Sequence, residues 1–262
     1  MALSAKEIQH LREVAGVGMM DAKRALEACD SNFDEAIKYL REKGLAKMAE
    51  RSDRDNAQGA IAIGRSGRAF AIAQVKCETD FVAKSPDFKG LVQAIADTVA
   101  AKGEAAVSEH QAPLETLIVS LKEKIELGRI IRFEAPADSI IDTYLHIQSE
   151  RGVNATMVEV IGGTEEMAHD IALHIAFARP KYLTRDEVPA DLVASEKETL
   201  TQITRNEGKP EAALPKIVEG RMNGYFKDRC LVEQDWAKDN KLSIGAMLGS
   251  AKVTRFAQVE IG

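Results

Sequence analysis

The spacing of apolar residues changes along this chain, and that change constrains the fold more than any other feature. Over the first 44 residues, apolar positions recur at intervals of three or four, as at Ile8 and Leu11, which is typical of amphipathic helices. From residue 58 onward, short runs such as Ala60–Ile63 indicate β-strands that alternate with further helices. The sequence therefore predicts an α+β fold with a helical N-terminal part and antiparallel strands in the remainder.

Cap and turn residues divide the N-terminal part into three helices. Ser4 and Glu7 form the S-x-x-E pattern of a capping box at the start of the first helix. The glycines of 16–18 end that helix, because glycine readily adopts the positive φ of a tight turn. A second helix over about 20–29 follows, and we expect the third to end at Gly44. Residues 1–44 are thus predicted to form a three-helix head. The charged residues 45–57 are predicted to be a linker, with a frayed continuation of the helix as the alternative.

The remainder is predicted to consist of two similar α+β halves, 58–138 and 139–262. The first contains a strand pair, a helix that begins at Ser85-Pro86, a helix over about 113–125 and a strand. The second contains strands at 140–147 and 153–161, a helix at 165–178 and a last strand at 253–261. An inserted antiparallel helical hairpin is expected at about 187–226, because only a short turn separates its two helical runs. Its seam is predicted to contain Leu192, Leu200, Ile203, Leu214, Ile217, Val218, Met222 and Phe226.

Composition argues against several classes of protein. A formal net charge of -6 and a pI near 5.5 argue against a protein that neutralises nucleic-acid phosphates. No apolar run approaches the length of about 18 residues that a membrane span needs, and the N-terminus lacks the apolar stretch of a secretory signal. The 3 cysteines are far apart in sequence, which fits a reducing compartment. We therefore expect a cytoplasmic protein without direct nucleic-acid or membrane binding.

The sequence contains no recognisable motif for catalysis, metal binding or nucleotide binding. Neither G-x-x-x-x-G-K-[ST] nor G-x-G-x-x-G occurs, and His169 and His174 are spaced five apart, so they do not share a helix face. Cys77 follows Lys76, which could lower the pKa of its thiol, but it also ends an apolar strand, where a buried, inert cysteine is expected. We accordingly predict no catalytic residue, metal or cofactor, and favour a binding protein.

Two segments depart from the usual pattern of buried apolar and exposed polar residues. Met19 and Met20 are adjacent, so both cannot easily fill the core of a small head; one reading is core filling, the other a soft contact surface. The segment Thr79–Ser85 joins a strand to a helix, where a polar connection is expected, yet it contains Phe81 and Val82. Phe81 could cover the core or serve as an apolar anchor for a partner.

The same two segments resemble signatures of the bacterial elongation factor Ts family. Residues 16–26 resemble its G-x-G-M-M-[DE]-x-K-x-A-L motif, and residues 79–84 are similar to its T-D-F-V-A-[KR] motif. Further matches at 174–180 and 209–222 follow in the family's order. Residues 124–128 depart from the family pattern K-I-G-E-N. The resemblance implies a ubiquitin-associated-like head, a two-part α+β core and an inserted helical hairpin.

The resemblance also implies a function. The family consists of guanine-nucleotide exchange factors for elongation factor Tu, the GTPase that carries aminoacyl-tRNA. By this resemblance, the Asp80-Phe81 corner would insert near the Mg²⁺ and phosphate site of the GTPase and promote GDP release. The positions that match family contacts are Met19, Met20, Lys23, Thr79, Asp80, Phe81, Val82 and His146.

Two other hypotheses remain compatible with the sequence. The chain could be a different binding module, with a ubiquitin-associated-like head on a scaffold for another partner. It could also be an enzyme that uses Cys77 as a nucleophile, which requires an accessible and readily ionised thiol.

Overall fold

The computed structural model describes residues 4–49 and 53–261 and has the predicted α+β fold. The helices of these residues are α1 (Ala5–Ala15), α2 (Met19–Ala28), α3 (Phe33–Ala49), α4 (Asp80–Lys84), α5 (Pro86–Lys102), α6 (Gln111–Leu121), α7 (Glu165–Ala178), α8 (Ala190–Asn206), α9 (Leu214–Arg229) and α10 (Ile244–Leu248). The strands are β1 (Gln58–Ser66), β2 (Ala69–Cys77), β3 (Glu126–Glu134), β4 (Ser139–Gln148), β5 (Arg151–Ile161), β6 (Asp235–Trp236), β7 (Asp239–Ser243) and β8 (Lys252–Glu260).

The chain divides into two compact units. Unit 1 comprises Met1–Glu134, Leu145–Ala155 and Val259–Gly262, as far as these ranges are described. Unit 2 comprises Ala135–Tyr144 and Thr156–Gln258. The predicted division into a head, a linker and two core halves at 44, 57 and 138 remains a prediction.

Helices α1 to α3 form the three-helix head in unit 1. Ser4 and Glu7 make both hydrogen bonds of the predicted capping box, and Gly16 ends α1 with a φ of 63°. The buried side chains that join the three helices are Leu11, Ala15, Val17, Ala22, Ala25, Leu26, Ala36 and Leu40. The likeness of this head to ubiquitin-associated domains remains a prediction.

The prediction that the third helix ends at Gly44 is wrong, because α3 continues to Ala49. Gly44 lies where α3 packs closely against α6 of the same unit. A Cβ atom at position 44 would be 2.3 Å from Cγ2 of Val119, which is far inside van der Waals contact. The glycine thus allows two helices to approach each other, whereas the sequence suggested a helix terminator. The predicted linker 45–57 overlaps α3, and its residues 50–52 lie outside the described part of the chain.

The rest of unit 1 is a sheet covered by α5. Strands β1 and β2 form an antiparallel hairpin from Gln58–Cys77 to Ser66–Ala69, β3 pairs antiparallel with β2, and β1 pairs with β5 at Ile61–Gly152. Helix α5 packs on β1 and β2 through Phe88, Leu91, Val92, Ile95, Ala96 and Val99. The predicted helix over 113–125 ends earlier, at Leu121, because Lys122 adopts a left-handed conformation with φ 59°.

Unit 2 contains strands that are covered by a helix of their own. Strand β5 is flanked by β4 and β8, and α7 has the predicted bounds of 165–178. Ile171 and Ile175 of α7 pack with Val158 and Val160 of β5 in the core of this unit. The β6–β7 hairpin and α10 are elements that the sequence analysis did not predict.

The helical hairpin consists of α8 and α9, which pack against each other. Leu214, Val218, Met222 and Phe226 of α9 are buried as predicted. Leu192 and Ile203 of α8 are exposed, so their predicted place in the seam is wrong. Thr204 is fully buried instead, and its hydroxyl donates to the carbonyl of Leu200 at 2.6 Å. The apolar stripe of α8 is therefore wider than the surface that α9 covers.

Candidate protein-contact surface

The segment Thr79–Ser85, which the sequence analysis treated as a connection between a strand and a helix, contains the short capped helix α4. Thr79 is the N-cap of α4, and its hydroxyl oxygen accepts a hydrogen bond from the amide of Val82 at 3.4 Å. Ala83 is buried and Val82 packs against the core of unit 1, whereas 82% of Phe81 is exposed. The interpretation of Phe81 as a cover for the core is therefore wrong, because its ring points into solvent.

A carboxylate from a distant part of the sequence fixes this corner. Glu123 accepts hydrogen bonds from the amides of Glu78 and Thr79, both at 3.1 Å. It also accepts one from the Thr79 hydroxyl at 2.5 Å. Bonds to an ionised acceptor are stronger than bonds between neutral groups. Because the Thr79 hydroxyl donates to Glu123, its oxygen lone pairs remain available to cap α4.

A second carboxylate completes the contact in the opposite direction. Glu78 accepts a hydrogen bond from the amide of Lys124 at 2.7 Å and one from Arg54 Nη1 at 3.1 Å. Residues 78–79 and 123–124 therefore hold each other through both side-chain and backbone groups. We call this reciprocal arrangement of Glu78, Thr79, Glu123 and Lys124 the corner clasp.

Asp80 is paired with a cation of its own helix. Its Oδ2 lies 2.5 Å from Nζ of Lys84, one helical turn further on. The hydrogen bond from Lys84 lowers the pKa of the Asp80 carboxyl, and the charges of Lys84 and Arg151 act in the same direction. Asp80 is thus held as a half-exposed, ion-paired carboxylate at the position before Phe81 in the sequence.

The other predicted contact residues of the head lie on α2. Met19 and Met20 are 48% and 57% exposed, so neither fills the head core. Lys23 lies one turn further along and is within 3.7 Å of Glu27. Flexible, polarisable methionine side chains in solvent form an adaptable apolar surface.

Residue 122 links this helix to the corner clasp. Nζ of Lys122 lies 3.0 Å from Oδ2 of Asp21, which follows Met20 in α2. Lys122 is followed directly by Glu123 of the clasp. The two groups of predicted contact residues, on α2 and at 79–82, are therefore connected through two consecutive residues. Sequence analysis missed Asp21, Lys122 and Glu123, since nothing local marks pairs that are 44 to 101 residues apart.

His146 lies apart from these two groups along the chain. It is exposed near the end of β4, next to the exposed Ile147. All eight predicted contact residues belong to unit 1, but the contacts that join the first two groups do not include His146.

The segment 124–128, which departs from the family pattern, has a structural role in this chain. The amide of Lys124 belongs to the corner clasp, and Asn56 donates to Glu126 at 2.5 Å. A Cβ atom at Gly128 would lie 2.4 Å from Oε1 of the buried Gln74, and the amide of Arg129 donates to that oxygen. The glycine allows β3 to approach Gln74 closely.

The candidate chemical groups are in unreactive environments. Cys77 is fully buried and donates to the carbonyl of Thr79, and burial raises the pKa of its thiol to about 12. This contradicts the hypothesis of a nucleophilic Cys77, because the thiolate is not formed near neutral pH. Within residues 4–49 and 53–261, no group of three or more His, Cys, Asp or Glu side chains could hold a metal ion. No helix of that described part is long and apolar enough to span a membrane.

The fold and the site together define a class of protein. Exposed apolar side chains on firmly hydrogen-bonded elements are characteristic of protein-contact surfaces, where rigid anchors contribute most of the binding energy. The described site fits an α+β protein that engages another protein.

Comparison with known proteins agrees with this class and specifies the family. The family model described as elongation factor TS matches residues 78–262. Elongation factor Ts of Clavibacter sepedonicus is 43% identical over 99% of this chain and 98% of its own length. The proteins of that name from Mycobacterium tuberculosis and Deinococcus deserti are 41% and 37% identical, over 99% and 98% of this chain and 98% and 99% of their own lengths. The chain belongs to the elongation factor Ts family, and its role is that of a translation elongation factor.

Proposed function

We propose that this protein binds elongation factor Tu in its GDP-bound form and promotes the release of GDP. The Asp80-Phe81 corner inserts near the Mg²⁺ and phosphate site of the GTPase, while Met19, Met20 and Lys23 contact the same partner from the head. His146 supplies a further contact. The protein acts in the cytoplasm without covalent chemistry or a cofactor of its own, since the nucleotide and its metal belong to the partner.

The exposure of Phe81 is the observation that carries this proposal. An aromatic ring that is 82% exposed loses favourable burial, and the corner clasp holds it in that position. Such an arrangement is costly for an isolated protein and favourable for one that places the ring in an apolar slot of a partner. The half-exposed carboxylate of Asp80, the preceding residue, supplies a hydrogen-bond acceptor.

The energy required explains why several groups take part. Accelerating nucleotide release by about 10⁴ requires lowering the barrier by about 5–6 kcal/mol. One aromatic anchor contributes on the order of 2–4 kcal/mol, so the head and His146 must supply the rest. The coupling is reciprocal: whatever factor weakens nucleotide binding in the complex also weakens binding of this protein to the nucleotide-bound GTPase.

The test is release of fluorescent GDP from elongation factor Tu of the same source. Adding this protein should accelerate release, and Phe81→Ala should reduce the acceleration by roughly thirtyfold or more, the equivalent of about 2 kcal/mol. The matched control is Phe177→Ala, because Phe177 is similarly exposed, at 78%, and lies in unit 2 on α7. Unchanged release with the wild-type protein, or equal losses with the two variants, would contradict the proposal.

A further inference from the structure

Residues 122–124 contact both α2, which carries Met19, Met20 and Lys23, and the segment that leads into α4, which carries Phe81. They join α6 to β3, and Lys122 adopts the left-handed conformation that ends α6. From this short segment, Lys122 contacts Asp21 of the head, Glu123 contacts Thr79, and Lys124 contacts Glu78. Three consecutive residues therefore contact the head, the cap of α4 and the residue that follows β2.

Glu123 makes the most direct contact with the element that carries Phe81. Its carboxylate accepts three hydrogen bonds, two from the amides that lead into α4 and one from the hydroxyl that caps it. Helix α4 is only 5 residues long. A helix of this length is not stable by itself, so its direction depends on its cap and on its packing. Without Glu123, the Thr79 hydroxyl can rotate and the cap of α4 is no longer fixed.

The neighbouring contact with the head has a different character. Lys122 and Asp21 are 58% and 35% exposed, and ion pairs of this kind add little to stability. The head is held on α6 mainly by close packing, since a Cβ atom at Gly16 would lie 2.9 Å from Cβ of Ser120. Of the two consecutive residues, Glu123 is therefore the one whose loss should alter the contact surface.

We infer that Glu123 is a positioning residue, which holds α4 in the orientation that presents Phe81 to the partner. The inference rests on the proposed function, because it concerns how the exposed ring acts. Glu123 itself does not touch the GTPase. Its contribution passes through Thr79 and α4, so its effect on nucleotide release requires the ring of Phe81.

This dependence can be measured with a double-mutant cycle in the full chain. The variants are Glu123→Ala, Phe81→Ala and the combination, and the readout is the maximal rate of fluorescent-GDP release at saturating protein. Glu123→Ala should lower that rate about tenfold in the wild-type background, since a small misplacement of a working group has effects of this order. It should lower the rate less than about twofold when Phe81 is already alanine.

Two further variants separate positioning from general damage. Glu123→Gln keeps the size and one acceptor oxygen, and should restore part of the lost rate. Glu109→Ala removes an exposed carboxylate that pairs with Lys102 at 2.6 Å and does not contact residues 78–84 in the described hydrogen bonds, and it should leave the rate unchanged. Thermal unfolding of each variant verifies that the chain is folded; if Glu123→Ala does not fold, the cycle is carried out with Glu123→Gln.

The outcomes distinguish failure of this inference from failure of the proposed function. If Phe81→Ala has no effect on release, the proposed function fails and the inference fails with it. If Phe81→Ala lowers release but the effect of Glu123→Ala is absent, or is equally large in both backgrounds, only the positioning role is overturned. A strong effect of Glu123 that disappears without Phe81 supports it.

Discussion

Single residues in this protein reveal their role through burial more than through their type. Phe81 is an aromatic residue in solvent, whereas His174 is a polar residue that is only 2% exposed. The Nδ1 atom of His174 accepts a hydrogen bond from the amide of Ala237, so its Nε2 carries the proton and donates to Gln234. Gln234 in turn donates to the carbonyls of Ala178 and Asp228. In its neutral form, the imidazole of His174 thus joins α7 to the segment that precedes β7.

This environment predicts a loss of stability in mild acid. Burial lowers the pKa of His174, so below its ordinary value of 6.5 the unfolded chain binds a proton that the folded chain does not. The contribution of neutral His174 to the free energy of unfolding should be fully present above pH 6.5. Below that pH, the free energy of unfolding should fall by up to about 1.4 kcal/mol per pH unit until the pH reaches the folded pKa. Urea unfolding of the wild type and of His174→Gln between pH 8 and pH 5 measures the effect.

The His174→Gln variant should be less stable at pH 8 but should show a flatter pH dependence. His10→Gln is the control, because His10 is exposed on α1 and stacks on Phe33. If the variant retains the full wild-type pH dependence, then His174 is not its origin.

At the scale of elements, local signals predicted most helices and strands but not their long-range contacts. The capping box at Ser4, the Ser85-Pro86 start and the bounds of α7 all follow from side chains within one helical turn or one apolar stripe. Gly44 was misassigned because a helix-ending glycine and a close-contact glycine look the same in sequence. The role of Glu123 could not be predicted, since its partner Thr79 is 44 residues away.

The close contact at Gly44 makes a prediction about α3. An alanine normally favours a helix over glycine by about 1 kcal/mol, but its Cβ would collide with the stiff, β-branched Val119. We expect Gly44→Ala to destabilise the protein by about 1–2 kcal/mol net. Adding Val119→Ala should relieve part of this loss, and chemical denaturation measures each variant.

Gly90 provides the matched control, because it lies within α5 and a Cβ atom there would meet nothing within 4 Å. Gly90→Ala should stabilise the protein by about 0.5–1 kcal/mol. Stabilisation by both alanines would mean that the contact with Val119 is unimportant.

At the scale of the whole molecule, the two groups of predicted contact residues differ in whether the family model covers them. The elongation factor TS family model covers 78–262, which includes Thr79–Val82 and His146 but not the head. The relative from Clavibacter sepedonicus nevertheless matches 99% of the chain, so the similarity to the family extends to the head. The fold class and the segments 16–26 and 79–84 were recognisable from the sequence, whereas the connection between them depends on Asp21 and Lys122, which meet only in the folded chain.

This division predicts that the two groups contribute separately to affinity. If the proposed function holds, Met20→Ala and Phe81→Ala should each weaken binding to nucleotide-free elongation factor Tu. The two losses should add to within about 0.5 kcal/mol, because the Lys122–Asp21 ion pair that joins the two groups is exposed and should couple them only weakly. Isothermal titration calorimetry of the single and double variants gives the dissociation constants. A double variant that binds no more weakly than Phe81→Ala would show that the head depends on the corner.

The sequence separation of 44 between Thr79 and Glu123 also has a consequence during protein synthesis. Thr79 and Phe81 leave the ribosome well before α6 and Glu123, and a single turn of helix has little stability without its long-range bonds. Non-local contacts of this kind form only after the intervening chain has been made and folded. An incomplete chain that ends before residue 123 therefore carries the T-D-F-V segment without the bonds that fix its orientation. If the proposed function holds, such a chain should bind the GTPase more weakly than the complete protein does.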